Sequence, residues 1–431
     1  MIWRYRFMRT QTKSLRLIIS LVLFTFIACE YEDYPDPIWD ENDAGSPTPT
    51  ITSIDPPSLA YEGITEVTIT GANYSAILTQ NQVTFNGVIA EIDPTSTAAA
   101  LKVTVPVVIN DDALNALDSV KILVAVQGAY AGALYAQDFR VERAVIEWGG
   151  FVGELPEKKP NAVACDTDEN VFVAAGDKIL YKIDSTGVRT EFGTGLSTLT
   201  NDLRVGPGGF IYFTRNIPYV YRFDPAGGAA VRWHKVGARI GCLDFNSDQD
   251  IYCGGDNDSL YIVNIANEVN HGVAPAVDYV YTSLRVYDGY VYVAGEYDGS
   301  DVNVTVTQGI WRHEILPGSD TLGTKELVYD FADNSYSLDQ DILSMAVNSD
   351  GLFYLGLSAG TGPAMLTLDL TSMEVQPFYD AVMTAPTTSL TWGNGNKIYC
   401  ARYSASATEQ NPNAVLKIAQ TNISAPYYGR D

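Results

Sequence analysis

The feature that most limits how this chain can fold is a six-fold internal repeat running through its second and third thirds. Each unit has an apolar strand, a Gly/Asp/Asn turn and a second strand centred on an aromatic. The units are VACDTDENVFVAA, LRVGPGGFIYFT, LDFNSDQDIYCGG, LRVYDGYVYVAG, MAVNSDGLFYLGL and LTWGNGNKIYCAR, and a third strand follows each, from ILYKID to AVLKIAQ. The central aromatics, Phe172, Tyr212, Tyr252, Tyr292, Tyr354 and Tyr399, lie 40, 40, 40, 62 and 45 residues apart. A period near ~40 with several short strands per unit is that of propeller blades. A lone blade would leave open edges and apolar faces in water, so the units must close into a ring. The predicted fold is therefore all-β, with a six-bladed β-propeller over 143–431. The six aromatics are expected in the core between blades. Two segments compete to close the ring: RAVIEWGGF (143–151) and NISAPYYGRD (422–431).

Ahead of the repeats, 49–142 reads as short alternating strands separated by turns. The Pro-Pro turn, the strand Glu66-Val67-Thr68-Ile69-Thr70 and the Gly-Ala-Asn turn come first, followed by NQVTFNGVIAEI, LKVTVP, VKILVAV and DFRVE. This stretch resembles the IPT/TIG domain, on Ile54 with Pro56, Gly63, TITGANY, VTFNG and VTVP. The resemblance implies an immunoglobulin-like sandwich that serves as a spacer or interaction module and has no catalytic residues. The blades, through their D/N-x-x-G-x-I/V-Y pattern, resemble those of NHL and gluconolactonase-type propellers.

The N-terminus fixes where such a chain is expected to work. Arg4, Arg6, Arg9, Lys13 and Arg16 precede an apolar run from Leu17 to Ala28, which meets Cys29. The run is about half the ~20 residues that a spanning helix needs, so 1–28 reads as a signal peptide. LFTFIAC resembles a lipobox, which implies acylation of Cys29; several acyl chains anchor durably where one does not. The following acidic tether, 29–48, resembles the export signal of Bacteroidota-type lipoproteins. The expected location is the outer membrane, lipid-anchored and exposed at the cell surface. The formal net charge of −25 repels phosphate backbones and anionic headgroups. Nucleic acid is therefore excluded as a partner, and membrane contact is expected through the lipid alone.

No catalytic constellation is legible. His234 and His313 are expected on second or third blade strands and His271 in a blade connection, away from a central channel. There is no nucleophile elbow and no phosphate-cradling loop. Cys165, Cys242, Cys253 and Cys400 lack zinc-type spacing. Cys242 and Cys253 flank one turn, so a disulfide and two buried thiols both stay open. The resemblance to gluconolactonases implies metal ligands at the starts of the inner strands, where Asn161, Asn201, Asp202 and Asp341 stand without the glutamate such a site requires. The loop acids Asp298, Asp301, Asn303, Asp256, Asp258, Asp339 and Asp341 suit calcium or, more simply, solvated turns. No cofactor is expected beyond that open question of calcium, and no metal residue is assigned.

The longest loops, 295–308, 358–363, 403–412 and the connection before blade five, fall on one half of one face. Long loops on a rigid ring are where binding resides. The candidate ligand-binding residues are Tyr297, Tyr336, Arg402, Tyr403, Glu296 and Asp298. Tyrosines beside carboxylates and an arginine suit a sugar ring or a surface protein. Three functions follow. The first is a non-catalytic surface protein binding an extracellular ligand, foremost a glycan, beside an outer-membrane nutrient uptake system. The second is a channel-metal lactonase or hydrolase. The third is a structural or adhesion protein of the envelope.

Overall fold

The computed structural model describes residues 45–110, 114–152, 158–197, 199–256, 259–275, 278–317, 321–331, 335–336, 339–380, 382–403 and 413–430. The expected signal peptide, Cys29, nearly all of the tether and most of the loop 403–412 lie outside these residues. Among the described residues the secondary structure is β-strand, with a few short 3-10 turns.

Two compact units divide the chain. The first gathers residues up to 58 with 67–103 and 121–138. It holds strand Thr50–Asp55 in a three-stranded sheet, and a four-stranded sheet of Val88–Ala90, Asn81–Phe85, Ile122–Val126 and Ala133–Leu134. Alternation along these strands buries Ile69, Val83, Phe85, Leu101, Ile122 and Val124 and turns every second residue to solvent.

The second unit contains a small mixed sheet, in which Arg140–Arg143 pairs in parallel with Leu59–Glu62, and the six blades. Each blade is an antiparallel sheet of four strands, and the first also takes the short strand Gly228–Ala229 in parallel at its outer edge. The innermost strands are Pro160–Cys165, Leu203–Val205, Cys242–Phe245, Tyr279–Tyr287, Ile342–Val347 and Ser389–Trp392. Each neighbours the next, and the sixth neighbours the first, so the ring closes. The ring is fastened in blade six, whose outer strand Val145–Glu147 hydrogen-bonds to Ala414–Ala419 from the far end of the sequence. Of the two competing segments, RAVIEWGGF is the one that closes the ring.

The repeat pattern has a local cause. In blades one, three and five an acid or amide, Asp166, Asn246 or Asn348, accepts with its Oδ1 from the N–H groups two and four residues on. The third residue after that acceptor, at the end of the turn, is left-handed: Glu169 at φ 59°, Gln249 at 65° and Gly351 at 84°. That is why glycine recurs at this point of the motif. The aromatics that follow are all buried: Phe172, Tyr212, Tyr252, Tyr292, Tyr354 and Tyr399 are each at most 4% exposed. They pack between blades, as Tyr212 does against Phe245 of blade three and Tyr292 against Phe353 of blade five.

The structure decides the question left open for the cysteines and moves two of the three histidines. Cys242 pairs across the hairpin with Gly254, and Cys253 with Leu243. An offset of one residue sends the two thiols to opposite faces of the sheet and into different cores. Both are free, as are buried Cys165 and Cys400. His234 sits on an outermost strand, Val231–Ile240, rather than on a second or third. His271 also lies on an outermost strand, Val269–Pro275, rather than in a connection. His313 is buried on a third strand, with Nδ1 3.0 Å from the Gly323 carbonyl.

Candidate functional site

Two places in the propeller concentrate polar chemistry: the channel wall and the loop-bearing face. The channel wall is read directly from the repeat. The middle residue of LRV, LDF, LRV, MAV and LTW is Arg204, Asp244, Arg285, Ala346 and Thr391, and all five line one cavity at the channel's end. A strand buried on both faces normally carries apolar residues, so charges there need partners.

Those partners are found on the neighbouring blade. Asp202 Oδ2 accepts from Leu243 N at 3.1 Å, and Asp244 Oδ2 from Val286 N at 2.9 Å. Ser283 Oγ accepts from Met345 N at 3.0 Å, and Ser389 Oγ from Val163 N at 3.1 Å. Ser344 Oγ donates to the Thr387 carbonyl at 3.5 Å. At least one polar side chain at each of these junctions thus stitches one blade to the next. Asp202 also lies 3.3 Å from Arg204 Nη2 and 3.9 Å from Arg285 Nη1. Burial raises the Asp202 carboxyl above its ordinary value against the pull of Arg204, and pushes Asp244 up to about 7 in the same way.

The residues offered for a channel metal therefore do not fit one. Both Asp202 oxygens hold backbone N–H groups, and two guanidiniums flank the carboxylate where a dication would need to sit. Asp341 is exposed and accepts from Gln308 Nε2 at 2.8 Å. Asn161 is buried at the start of its strand, and Asn201 is exposed. Among the described residues no group of three or more His, Cys, Asp or Glu is arranged to hold a metal. The loop acids are engaged as well. Asp301 caps its own turn through Asn303, Asp339 accepts from Thr361, and Asp256 pairs with Arg239 at 3.0 Å.

One end of the channel is covered by the segment 424–430. Ala425 N donates to the Val347 carbonyl, Tyr427 Oη to that of Val205 at 2.7 Å, and Arg430 to those of Cys165, Trp392 and Gly393. The segment touches inner-strand ends of blades one, two, five and six, and Tyr427 meets Phe245 of blade three edge-on. Gly429 permits this approach, since a Cβ there would lie 2.4 Å from the Val205 carbonyl oxygen. This is the role of NISAPYYGRD in place of ring closure.

The opposite face carries the six candidate residues: three in blade four, two at the junction of blades six and one, and Tyr336 apart from both. Glu296, Tyr297 and Asp298 end the second strand of blade four and begin its long loop. Tyr297 packs edge-on against Tyr279, and its hydroxyl accepts from Asp301 N at 2.9 Å. Desolvation, then the charges of Asp341 and Asp298, raise the Glu296 carboxyl. Tyr336, 39% exposed, lies in the connection to blade five. Arg402 and Tyr403 stand at the junction of blades six and one. Arg402 donates to Thr384 Oγ1, and Tyr403 accepts from Lys159 Nζ at 2.7 Å with that ammonium over its ring. Lys159 is a member of this group that sequence reasoning missed; its signal is its place immediately before the first inner strand. The first unit offers something different, a shallow depression of about 640 Å³ over Gln82, Ile89 and Ala125 that no charged side chain lines.

Against known proteins, residues 49–141 match the IPT/TIG domain. No curated protein matches the chain in sequence. Among solved structures it is similar to an auxiliary nutrient binding protein from Bacteroides thetaiotaomicron, with 12% identity and TM-score 0.50 over 88% of this chain and 99% of that one. A luciferin-regenerating enzyme shares 9% identity and TM-score 0.50 over 66% of this chain and 98% of its own. A gluconolactonase from Xanthomonas campestris aligns at 10% identity and TM-score 0.46, over 61% of this chain and 86% of its own. At these identities the likeness is one of fold: an immunoglobulin-like IPT/TIG domain followed by a β-propeller.

Proposed function

We propose that this chain is a non-catalytic lipoprotein of the cell surface, anchored in the outer membrane through Cys29, that binds an extracellular glycan on the loop-bearing face of its propeller beside a nutrient uptake system. The observation that carries the reading is how the polar groups are committed. The channel carboxylates that a lactonase would need hold the blades together between arginines. The polar and aromatic groups left facing solvent stand on the loops of blades four to six, among them Tyr297, Tyr336, Arg402 and Tyr403. Tyr297 and Tyr403, half-buried with their hydroxyls already bonded, are rigid platforms that lose little freedom when a sugar ring stacks on them. The uptake role is carried over from the Bacteroides thetaiotaomicron protein, named as an auxiliary nutrient binding protein.

Glycan arrays and pull-downs from cell-surface extracts identify the ligand. Tyr297→Ala combined with Tyr403→Ala then weakens binding about tenfold or more, ~1.4 kcal/mol. Cys29→Ala releases the chain from the membrane fraction and leaves affinity unchanged. Full affinity in the tyrosine pair, or lactone hydrolysis that rises with added divalent metal, overturns the proposal. Protein partners with blank glycan arrays would favour an adhesion role.

A further inference from the structure

The covered end of the channel holds a narrow cavity of about 40 Å³ lined by Arg204, Asp244, Arg285, Thr391, Trp392 and Tyr427, among others. Its donors are buried and under-used. Arg204 is 3% exposed and Trp392 6%. Arg204 Nε and the Trp392 indole Nε1 make no hydrogen bond among the described residues, and Arg204 Nη2 has only the Asp202 carboxylate, 3.3 Å away. Buried N–H groups of this kind call for an acceptor.

The local charge says which acceptor. Three guanidiniums, Arg204, Arg285 and Arg430, surround the space or line it, against the two carboxylates Asp202 and Asp244. Arg430 donates to three backbone carbonyls, which carry no full charge to offset its own. Asp202 is shared between Arg204 and Arg285. Burial lifts Asp244 to about 7, so near neutrality it keeps its proton part of the time and its free Oδ1 edge can donate. A surplus of buried positive charge is costly unless a counter-charge accompanies it. The volume sets the size of that counter-charge. On the same measure a water molecule needs about 10–15 Å³, so a halide ion fits the cavity. A phosphate or sulfate would bring four oxygens to a lining with few spare N–H groups and a carboxylate, Asp244.

We propose that this cavity binds a single halide ion, held by the Arg204 guanidinium and the Trp392 indole N–H, and that the ion fastens the segment 424–430 over the end of the channel. The site is separate from the loop-bearing face and independent of any ligand bound there.

The test is thermal unfolding of the full-length chain in sodium chloride or bromide against sodium gluconate at equal ionic strength. The Tm is expected to rise with halide and to saturate. Trp392→Phe keeps the ring and removes the donor, and is expected to weaken the apparent halide affinity about tenfold. Asp244→Asn removes the residual negative charge and is expected to tighten it. Crystals grown with bromide should show anomalous density between Arg204 and Trp392. If Asp244→Asn fails to fold, the Trp392→Phe titration and the bromide map decide alone. Equal Tm in both salts, a halide effect unchanged in Trp392→Phe, or water in place of bromide in the cavity overturns the proposal.

Discussion

The channel wall and the loop-bearing face hold the same chemical groups under opposite conditions. In the channel, Asp202 and Asp244 are buried, face arginines and accept from backbone N–H groups of the next blade. On the loop face, Asp301, Asp339 and Asp341 are exposed and organise turns or meet neutral amides and hydroxyls. A carboxylate in water is nearly free to choose its partner, whereas one removed from water must keep the partner it has. Residue type alone therefore separates neither metal ligand from strut nor binding group from turn cap. Burial and the neighbouring strand do.

The sharpest way to break this comparison is to truncate one carboxylate from each region. Asp202→Ala leaves Leu203 N and Leu243 N without their acceptor and two guanidiniums without their counter-charge inside the ring. Removing one partner of a buried ion pair costs ~3–5 kcal/mol, and urea unfolding should show a loss of that size. Asp341→Ala removes one exposed hydrogen bond to Gln308 and should stay within ~0.5 kcal/mol. Equal losses would mean that the two regions do not differ as described.

Much of the fold was legible because it repeats. The spacing of Tyr212, Tyr252 and Tyr292 gave the blades, and the alternation near Val67–Thr70 gave the immunoglobulin-like strands. The channel charges were equally visible in register, as the middle residues of LRV, LDF and LRV. They carried no meaning until the ring brought Arg204, Asp244 and Arg285 together across three blades. Pairing across a closed ring depends on which blade follows which, and no local pattern encodes it. Cys242 and Cys253 flank one turn, which left a disulfide and two thiols both open; the one-residue register offset of their hairpin separates them. The candidate loop residues were legible as long loops, but not as separate groups, because Lys159 comes to Tyr403 only when blade one closes against blade six.

A smaller effect sharpens the comparison through pH. Asp244 has its carboxyl at about 7 in the folded chain, against ~3.9 for an unfolded aspartate. Between those values the folded chain keeps a proton that the unfolded chain has lost. The stability tied to that proton is complete below the unfolded value and is lost as pH rises through 7. Raising the pH from 5 to 8 should therefore weaken the wild type by on the order of 1–3 kcal/mol through this group, measured by urea unfolding in halide-free buffer. Burial lowers His234 and His313, which works in the opposite sense as the pH passes through the ordinary histidine range, and the raised Asp202 adds to the fall. Asp244→Asn leaves the histidine contributions in place, so the difference between the two profiles reads the Asp244 proton together with its interaction with Asp202. That difference should grow with pH from 5 to about 7 and then level off. Parallel profiles would mean that Asp244 titrates like an exposed carboxylate of the loop face, and the distinction between the two regions would fail at the channel itself.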